Sequence, residues 1–314
     1  RRGWMCCIVK GVASSALFCW DLGITDKQEY IQGPTGKTWV RMGRPPRPRI
    51  RYHSPEYIVN RMEWMRKNPE FLNVEYELES GKWVGKGYPV DFNAVLDENL
   101  QTSIRLGEKE RWWERIVELM EEKNLVCRCI GEKRDHDPEL DTGILQGSTG
   151  HAGLVSPKSL AMQKRGGMSY LDFGLESFDE DIMQHLGKGS TPRRNGQAID
   201  MTIASGIRPI PNMIIGFKRE TWASIRKMVE AWNKYSIMSS PFINTPYAGS
   251  QDFYDNYDKI LYQYNGSLES FIKDLEDATK VTATISDNFT GVELAGIREM
   301  MVQRNYRQLA IYER

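Results

Sequence analysis

Short apolar runs alternate along the chain with longer segments in which apolar residues recur every three or four positions. The runs Met5 to Lys10, Phe92 to Leu96, Leu125 to Ile130, Tyr170 to Phe173, Pro209 to Ile215 and Pro241 to Thr245 are the length of strands buried in a parallel sheet. Ser54-Pro55-Glu56 opens a helix that runs to about Lys67: Ser caps it, Pro suits its first turn, and Ile58, Met62 and Met65 share one face. The same reasoning predicts helices over Lys109 to Lys123, Thr191 to Ser205 closed by Gly206, and Glu220 to Tyr235. Strands alternating with such helices predict an α/β architecture around a parallel sheet. Two stretches break the rhythm. Residues 33–49 carry Pro34, Pro45, Pro46, Pro48 and four Arg and read as an extended, exposed loop; residues 136–158 are rich in Gly, Ser and Asp. Long loops serve either as plain surface insertions or as lids and partner surfaces, and both readings stay open for these two.

Charge and composition narrow the classes. Of 314 residues, 42 are Lys or Arg and 42 are Asp or Glu, so no positive excess is available to displace counterions from phosphates, and no nucleic-acid partner is expected. A hydrophobic fraction of 40% with 11% aromatic residues is enough to bury a core. No apolar run approaches the ~20 residues of a membrane span. Five cysteines, Cys6, Cys7, Cys19, Cys127 and Cys129, are an odd set unlike the framework of a small secreted protein, which makes a reducing cytoplasm the expected compartment. The chain opens on Arg1 in what reads as mid-strand sequence with no leader pattern, so a piece lacking its N-terminal side is expected.

From Tyr170 to Thr221 the chain reads YLDFGLESFDEDIMQHLGKGSTPRRNGQAIDMTIASGIRPIPNMIIGFKRET. Gly174-Leu175-Glu176-Ser177 ends a strand, Lys188-Gly189-Ser190 forms a turn before a helix, Ser205-Gly206-Ile207 follows that helix, and Gly216-Phe217-Lys218-Arg219-Glu220-Thr221 ends the next strand. This order resembles the second half of a radical SAM barrel. Tyr52 to Val59, Phe92 to Asn99 and Asn244 to Ser250 resemble, in turn, further elements of the cobalamin-associated members of that family. The resemblance spans nearly the whole chain. It implies a radical SAM-type partial (β/α)6 TIM-like barrel over residues 1–240 with a C-terminal α/β extension over 241–314. It also implies a 4Fe-4S cluster, S-adenosylmethionine bound at the C-terminal mouth of the strands, and radical chemistry that abstracts hydrogen from an unreactive carbon. Cobalamin-dependent methyl transfer to an unactivated carbon is the commonest activity it implies, acting on a small molecule or peptide with an external electron donor. The family's corrinoid-binding domain lies N-terminal to these residues.

By register, the resemblance assigns Phe18 to stacking on adenine, Asp97 and Glu98 to the methionine ammonium, Glu176 and Ser177 to the ribose and methionine parts, and Gly216 to close backbone approach. The bland alternatives are core packing for Phe18, a solvated loop charge for Asp97 or Glu98, and a plain turn glycine for Gly216. The family's Pro-Gly after that glycine is Lys218-Arg219 here, so the turn must differ. The cluster loop departs further. Lys10-Gly11 and Phe18-Cys19 match its ends, but Val12 and Ala16 occupy the first two cysteine positions, and neither carries a donor for iron. Three explanations compete: Cys6 and Cys7 join Cys19 as ligands, which would require a loop where a strand is expected; the chain is a degenerate relative without a cluster; or the segment is damaged relative to a functional parent. Cys127 and Cys129 read as buried core rather than a metal pair, and His53, His136, His151 and His185 have no ligand spacing. The rival function is a non-catalytic barrel that binds a nucleoside-like ligand or a protein partner. A TIM-like metabolic enzyme of unrelated chemistry explains the alternation but not the ordered motifs.

Overall fold

The structure is a computed structural model that describes residues 53–68, 111–127, 144–235, 240–248, 250–275 and 280–307, with Leu100, Ile104 and Lys109, and the backbone of eight further short strands. In chain order the strands are β1 (Trp4–Cys7), β2 (Val9–Lys10), β3 (Gln28–Gly33), β4 (Gly36–Arg41), β5 (Arg51–Tyr52), β6 (Val74–Glu79), β7 (Lys82–Gly87), β8 (Phe92–Leu96), β9 (Leu145–Gly150), β10 (Met168–Glu176), β11 (Arg208–Ile215) and β12 (Phe242–Ile243). The helices are α1 (Pro55–Lys67), α2 (Trp112–Glu122), α3 (Pro157–Arg165), α4 (Glu180–Leu186), α5 (Pro192–Ala204), α6 (Trp222–Lys234), α7 (Gln251–Asp255), α8 (Tyr257–Gln263), α9 (Leu268–Asp274) and α10 (Gly291–Val302).

One sheet carries β1, β8, β9, β10, β11 and β12 in that order, and the registers of β1 with β8, β8 with β9, β9 with β10 and β11 with β12 are all parallel. A spatial order that follows the chain is what successive βα units produce. Three antiparallel pairs stand apart from it: β2 with β5, β3 with β4, and β6 with β7.

Two compact units divide the chain: Arg1–Lys10, Ile50–Phe173 and Gln197–Ile210 form the first, and Gly11–Arg49, Gly174–Gly196 and Pro211–Arg314 the second. In the first unit α1 packs on α2 through Ile58, Val59, Met62 and Met65 against a stripe that includes Trp112, Ile116 and Met120. The Ser54 hydroxyl caps α1 by accepting the Tyr57 N–H at 3.2 Å, and the indole of Trp112 donates to the His53 carbonyl at 2.8 Å. Helix α3 is tied to α2 by a two-pronged Arg165–Glu121 contact at 2.8 and 2.5 Å. Gly147 of β9 has no Cβ because the ring of Tyr170 on β10 lies there: a Cβ would come within 2.2 Å of its Cε1. In the second unit Met213 and Ile215 of β11 and Ile243 of β12 join Ile225, Met228 and Trp232 of α6 and Leu294, Ile297 and Met301 of α10 in one buried cluster. A separate cluster of Phe253, Ile260, Phe271 and Ile285 holds α7, α8 and α9 together.

Helix α1 lies where capping and periodicity predict it, and α2, α5 and α6 lie where periodicity predicts them, one to three residues shorter at each end. Three expectations need correction. The run Met5 to Lys10 divides between β1 in the parallel sheet and β2 in an antiparallel pair. Leu125 to Ile130 forms no strand among its described residues; Val126 makes a single parallel bridge to Ile144. The interior strand is instead β9, inside the stretch 136–158 expected to be loop, where the sequence Leu-Gln-Gly-Ser-Thr-Gly is held extended by ladders on both sides. Likewise β4 lies within the stretch 33–49, because Thr38, Trp39 and Val40 pair with Ile31, Tyr30 and Glu29 in a hairpin that closes at Gly33 opposite Gly36. No helix among the described residues is long and apolar enough to cross a membrane.

Phe173, fully buried near the end of β10, is expected to cost about 3–5 kcal/mol when replaced by Ala. Tyr262, 86% exposed on α8, is expected to cost no more than about 0.5 kcal/mol. Urea denaturation of the two variants checks this, and equal costs would contradict the assignment of the core.

Candidate functional site

Strand β10 alternates buried Leu171, Phe173 and Leu175 with half-buried Tyr170, Asp172 and Gly174, and this alternation stops at Glu176, whose φ of +63° is left-handed. An L-residue with a Cβ disfavours that region, so neighbouring contacts must hold it there. Those contacts converge from the turn that follows α4. The Lys188 ammonium donates to the Gly174 carbonyl at 2.7 Å and forms an ion pair with the Glu176 carboxylate. Both side chains are largely removed from solvent, at 17% and 5% exposure, so each charge depends on the other for its solvation. A Cβ on Gly174 would lie 2.6 Å from the Glu176 Oε1 and 2.7 Å from the Lys188 Nζ, so the ion pair sits directly against this glycine. Gly187 and Gly189, with φ of +60° and +72°, turn the chain on either side of Lys188.

Ser177 is buried, and its hydroxyl accepts the Asp179 N–H at 3.1 Å. Asp179 in turn caps α4, accepting from the Asp181 and Ile182 amides at 3.0 and 3.1 Å, and its other oxygen meets the Lys227 ammonium at 2.7 Å. Burial pushes the Asp179 carboxyl up, but Lys227 and the two amides outweigh it and hold it below the ordinary carboxylate range.

The end of β11 is organised by a second buried carboxylate. Gly216, with φ of +89°, donates its N–H to the Glu220 carboxylate at 3.2 Å; the other carboxylate oxygen accepts from the Ser224 hydroxyl. A Cβ on Gly216 would meet Leu294 Cδ1 at 2.9 Å, so the missing side chain is accounted for by turn and core. Thr221 caps α6 in a reciprocal box with Ser224, at 3.2 and 2.9 Å. The departure at Lys218-Arg219 is accommodated outside this turn: Lys218 reaches Asn256 at 3.2 Å and Asp287 at 3.1 Å. At the end of β12, Asn244 donates to the buried Asp252 carboxylate at 3.0 Å, and burial raises that carboxyl.

Among the sequence-predicted residues, Glu176, Ser177 and Gly216 stand at the C-terminal ends of parallel strands, where α/β sheets carry their ligand sites. Cys6 and Cys7 are consecutive positions of β1, in register with Val95 and Leu96 of β8. Phe18, Cys19, Asp97, Glu98 and Cys129 lie outside the described residues. Cys127 is a buried thiol. Three residues that organise the strand ends were not singled out by sequence: Lys188, Asn195 and Glu220. Lys188 and Glu220 sit inside quoted motifs, but a pairing across twelve residues or a carboxylate turned back on its own turn has no local signature.

Burial pushes the Glu220 carboxyl up to about 7, against the Ser224 hydroxyl and the Gly216 amide, which favour the charged form. Because the folded value lies above the ordinary 4.5, this group's contribution is fully present below pH 4.5 and is lost as pH rises through about 7. The expected loss across that window is about 3 kcal/mol, and Glu220→Gln is expected to remove it. Denaturation midpoints measured from pH 4 to 8, with the pH slope unchanged in the variant, would refute the assignment.

No family model matches the chain. Over 89 residues, 28% of its length, it is 33% identical to an uncharacterized methyltransferase of Pyrococcus horikoshii, of which it covers 19%. It superposes on the radical S-adenosylmethionine methyltransferase TsrM from Kitasatospora setae, solved with cobalamin and a 4Fe-4S cluster bound, with a TM-score of 0.53 and 11% identity over 82% of this chain and 37% of that one. TsrM solved with its tryptophan substrate and a SAM analog gives the same TM-score of 0.53 at 11% identity, with 82% and 39% covered. The chain thus spans about a fifth of the curated relative, of which it covers 19%, and under two fifths of TsrM. The parallel sheet in chain order therefore shares the partial-barrel fold of the radical SAM methyltransferase TsrM.

Proposed function

We propose that this chain is the S-adenosylmethionine-binding barrel of a radical SAM protein of the methyltransferase type, similar to the cobalamin-associated members. The observation that carries the reading is the end of β10, where the Gly-Leu-Glu-Ser and Lys-Gly-Ser pieces meet in one buried ion pair between Glu176 and Lys188. A carboxylate and an ammonium held side by side offer an acceptor and a donor for the amino-acid end or the ribose diol of a nucleoside cosubstrate. Ser177 lies beside them, and the resemblance adds Phe18, Asp97, Glu98 and Gly216 to the same cosubstrate. On this reading the barrel core covers 1–240 and the extension 241–314. The substrate is a small molecule or peptide, and the electron comes from an external donor.

The donor chemistry of the cluster loop does not fit the group. Three thiolates are required, and Val12 and Ala16 bring none beside Cys19. When bound, a 4Fe-4S cluster would supply the electron that cleaves S-adenosylmethionine. Cys6 and Cys7 are the remaining thiolates in the N-terminal segment, and cobalamin enters through the resemblance and through the TsrM neighbour alone.

Anaerobic reconstitution of the intact chain with iron and sulfide, followed by iron quantification and electron paramagnetic resonance with and without S-adenosylmethionine, tests this. A stoichiometric cluster signal that changes with S-adenosylmethionine and is lost in Cys19→Ser would support catalysis by this chain and make Cys6 and Cys7 the next ligands to substitute. Absence of a cluster would overturn catalysis by this chain and leave the non-catalytic, nucleoside-binding barrel.

A further inference from the structure

Glu176 is not a glycine, yet it holds a φ of +63° at full burial of its backbone neighbours Leu175 and Ser177. Glycine would adopt that conformation freely; Glu must be kept in it. The ion pair to Lys188 fixes the end of the Glu176 side chain and cannot by itself fix the backbone. The Ser177 N–H closes the turn over Glu176 by donating to the Leu175 carbonyl at 2.8 Å, and the side chain that braces this turn is Asn195, on the first turn of α5 and wholly removed from solvent. Its amide nitrogen donates to the Leu175 carbonyl and to the Ser177 carbonyl, each at 3.0 Å. Carbonyls two residues apart on an extended strand are separated by about 7 Å. One nitrogen bonded to both draws them together, and the residue between them must turn. The orientation of the Asn195 amide is itself set, since its oxygen accepts the Ser190 hydroxyl at 2.8 Å.

We propose that Asn195 is a positioning residue: it clamps the carbonyls on either side of Glu176, holds the left-handed end of β10, and thereby presents the Glu176 carboxylate to Lys188 and to the cosubstrate. The clamp and the ion pair are two arms of one device. Lys188 and Ser190 belong to the same short turn, so Lys188 grips the strand through Gly174 and Glu176 while Ser190 orients the amide that grips it through Leu175 and Ser177. The presentation to cosubstrate rests on the proposed reading of this strand end as the S-adenosylmethionine site, whereas the clamp itself does not.

The test uses the intact chain. In Asn195→Ala the Ser177 amide, which donates to the Leu175 carbonyl at 2.8 Å, is expected to exchange with solvent at least about tenfold faster, while Leu171 and Phe173 amides keep their protection. The dissociation constant for S-adenosylmethionine is expected to rise about tenfold in the same variant. Asn195→Asp, which keeps the acceptor for Ser190 but has no N–H to donate, is expected to match Asn195→Ala. Ser190→Ala, which only frees the amide to rotate, is expected to act in the same direction more weakly and keeps the question open to measurement if the Asn195 variants fold poorly. Introducing Glu176→Gly removes the need for a clamp, so Asn195→Ala added to it is expected to leave Ser177 exchange nearly unchanged. A general packing role for Asn195 would give the same acceleration in both backgrounds, and that result, or unchanged exchange in Asn195→Ala and Ser190→Ala alike, would overturn the proposal. If the unaltered chain binds no S-adenosylmethionine, the functional reading falls while the exchange comparison still decides the clamp.

Discussion

A carboxylate that leaves water at the end of a strand must find a cation or other hydrogen-bond donors, and the strand must bend to let it. At Glu176 both demands are met within the 22 residues from Gly174 to Asn195: Lys188 supplies the charge, Gly174 leaves room for it, and the Asn195 amide holds the backbone that turns. Removing any one partner leaves the others with a desolvation or strain cost. The same logic repeats at β11, where Gly216 turns the chain, Glu220 folds back to take its N–H, and Thr221 starts the next helix. Each parallel strand of this half of the sheet thus ends in a polar knot rather than a free loop.

These knots depend on the packing behind them. Phe173 and Leu175 anchor the far face of β10, and Met213 and Ile215 do the same for β11, so the backbone that carries each knot enters it from a rigid strand. Rigid strands bearing polar termini are what α/β sheets use to hold ligands at their C-terminal ends. The alternative, a site on long loops, would sacrifice that precision.

Much of the fold was legible because its strongest elements satisfy periodicity and punctuation together. Ser54 with Pro55 before Ile58, Met62 and Met65 has one structural solution, and α1 adopts it. Strand β9 was hidden because a strand with ladders on both sides needs no β-branched residues of its own; Gly147 is there to clear the Tyr170 ring, and in sequence it looks like a loop residue. At the site, the motifs announced Glu176, Ser177 and Gly216, but not their partners. Lys188 and Asn195 reach β10 across a helix and a turn, and no local pattern encodes a contact that only the crossover brings about. Val12 and Ala16 carry no donor for iron whatever the fold does.

The role of the strand ends turns on whether a nucleoside cosubstrate meets the end of β10. Titrating S-adenosylmethionine into the isotopically labelled, iron-free chain and following its amide resonances would locate the contact. Saturable shifts are expected at 174–177 and 188–190; shifts confined to other parts of the chain, or none, would contradict a cosubstrate site there.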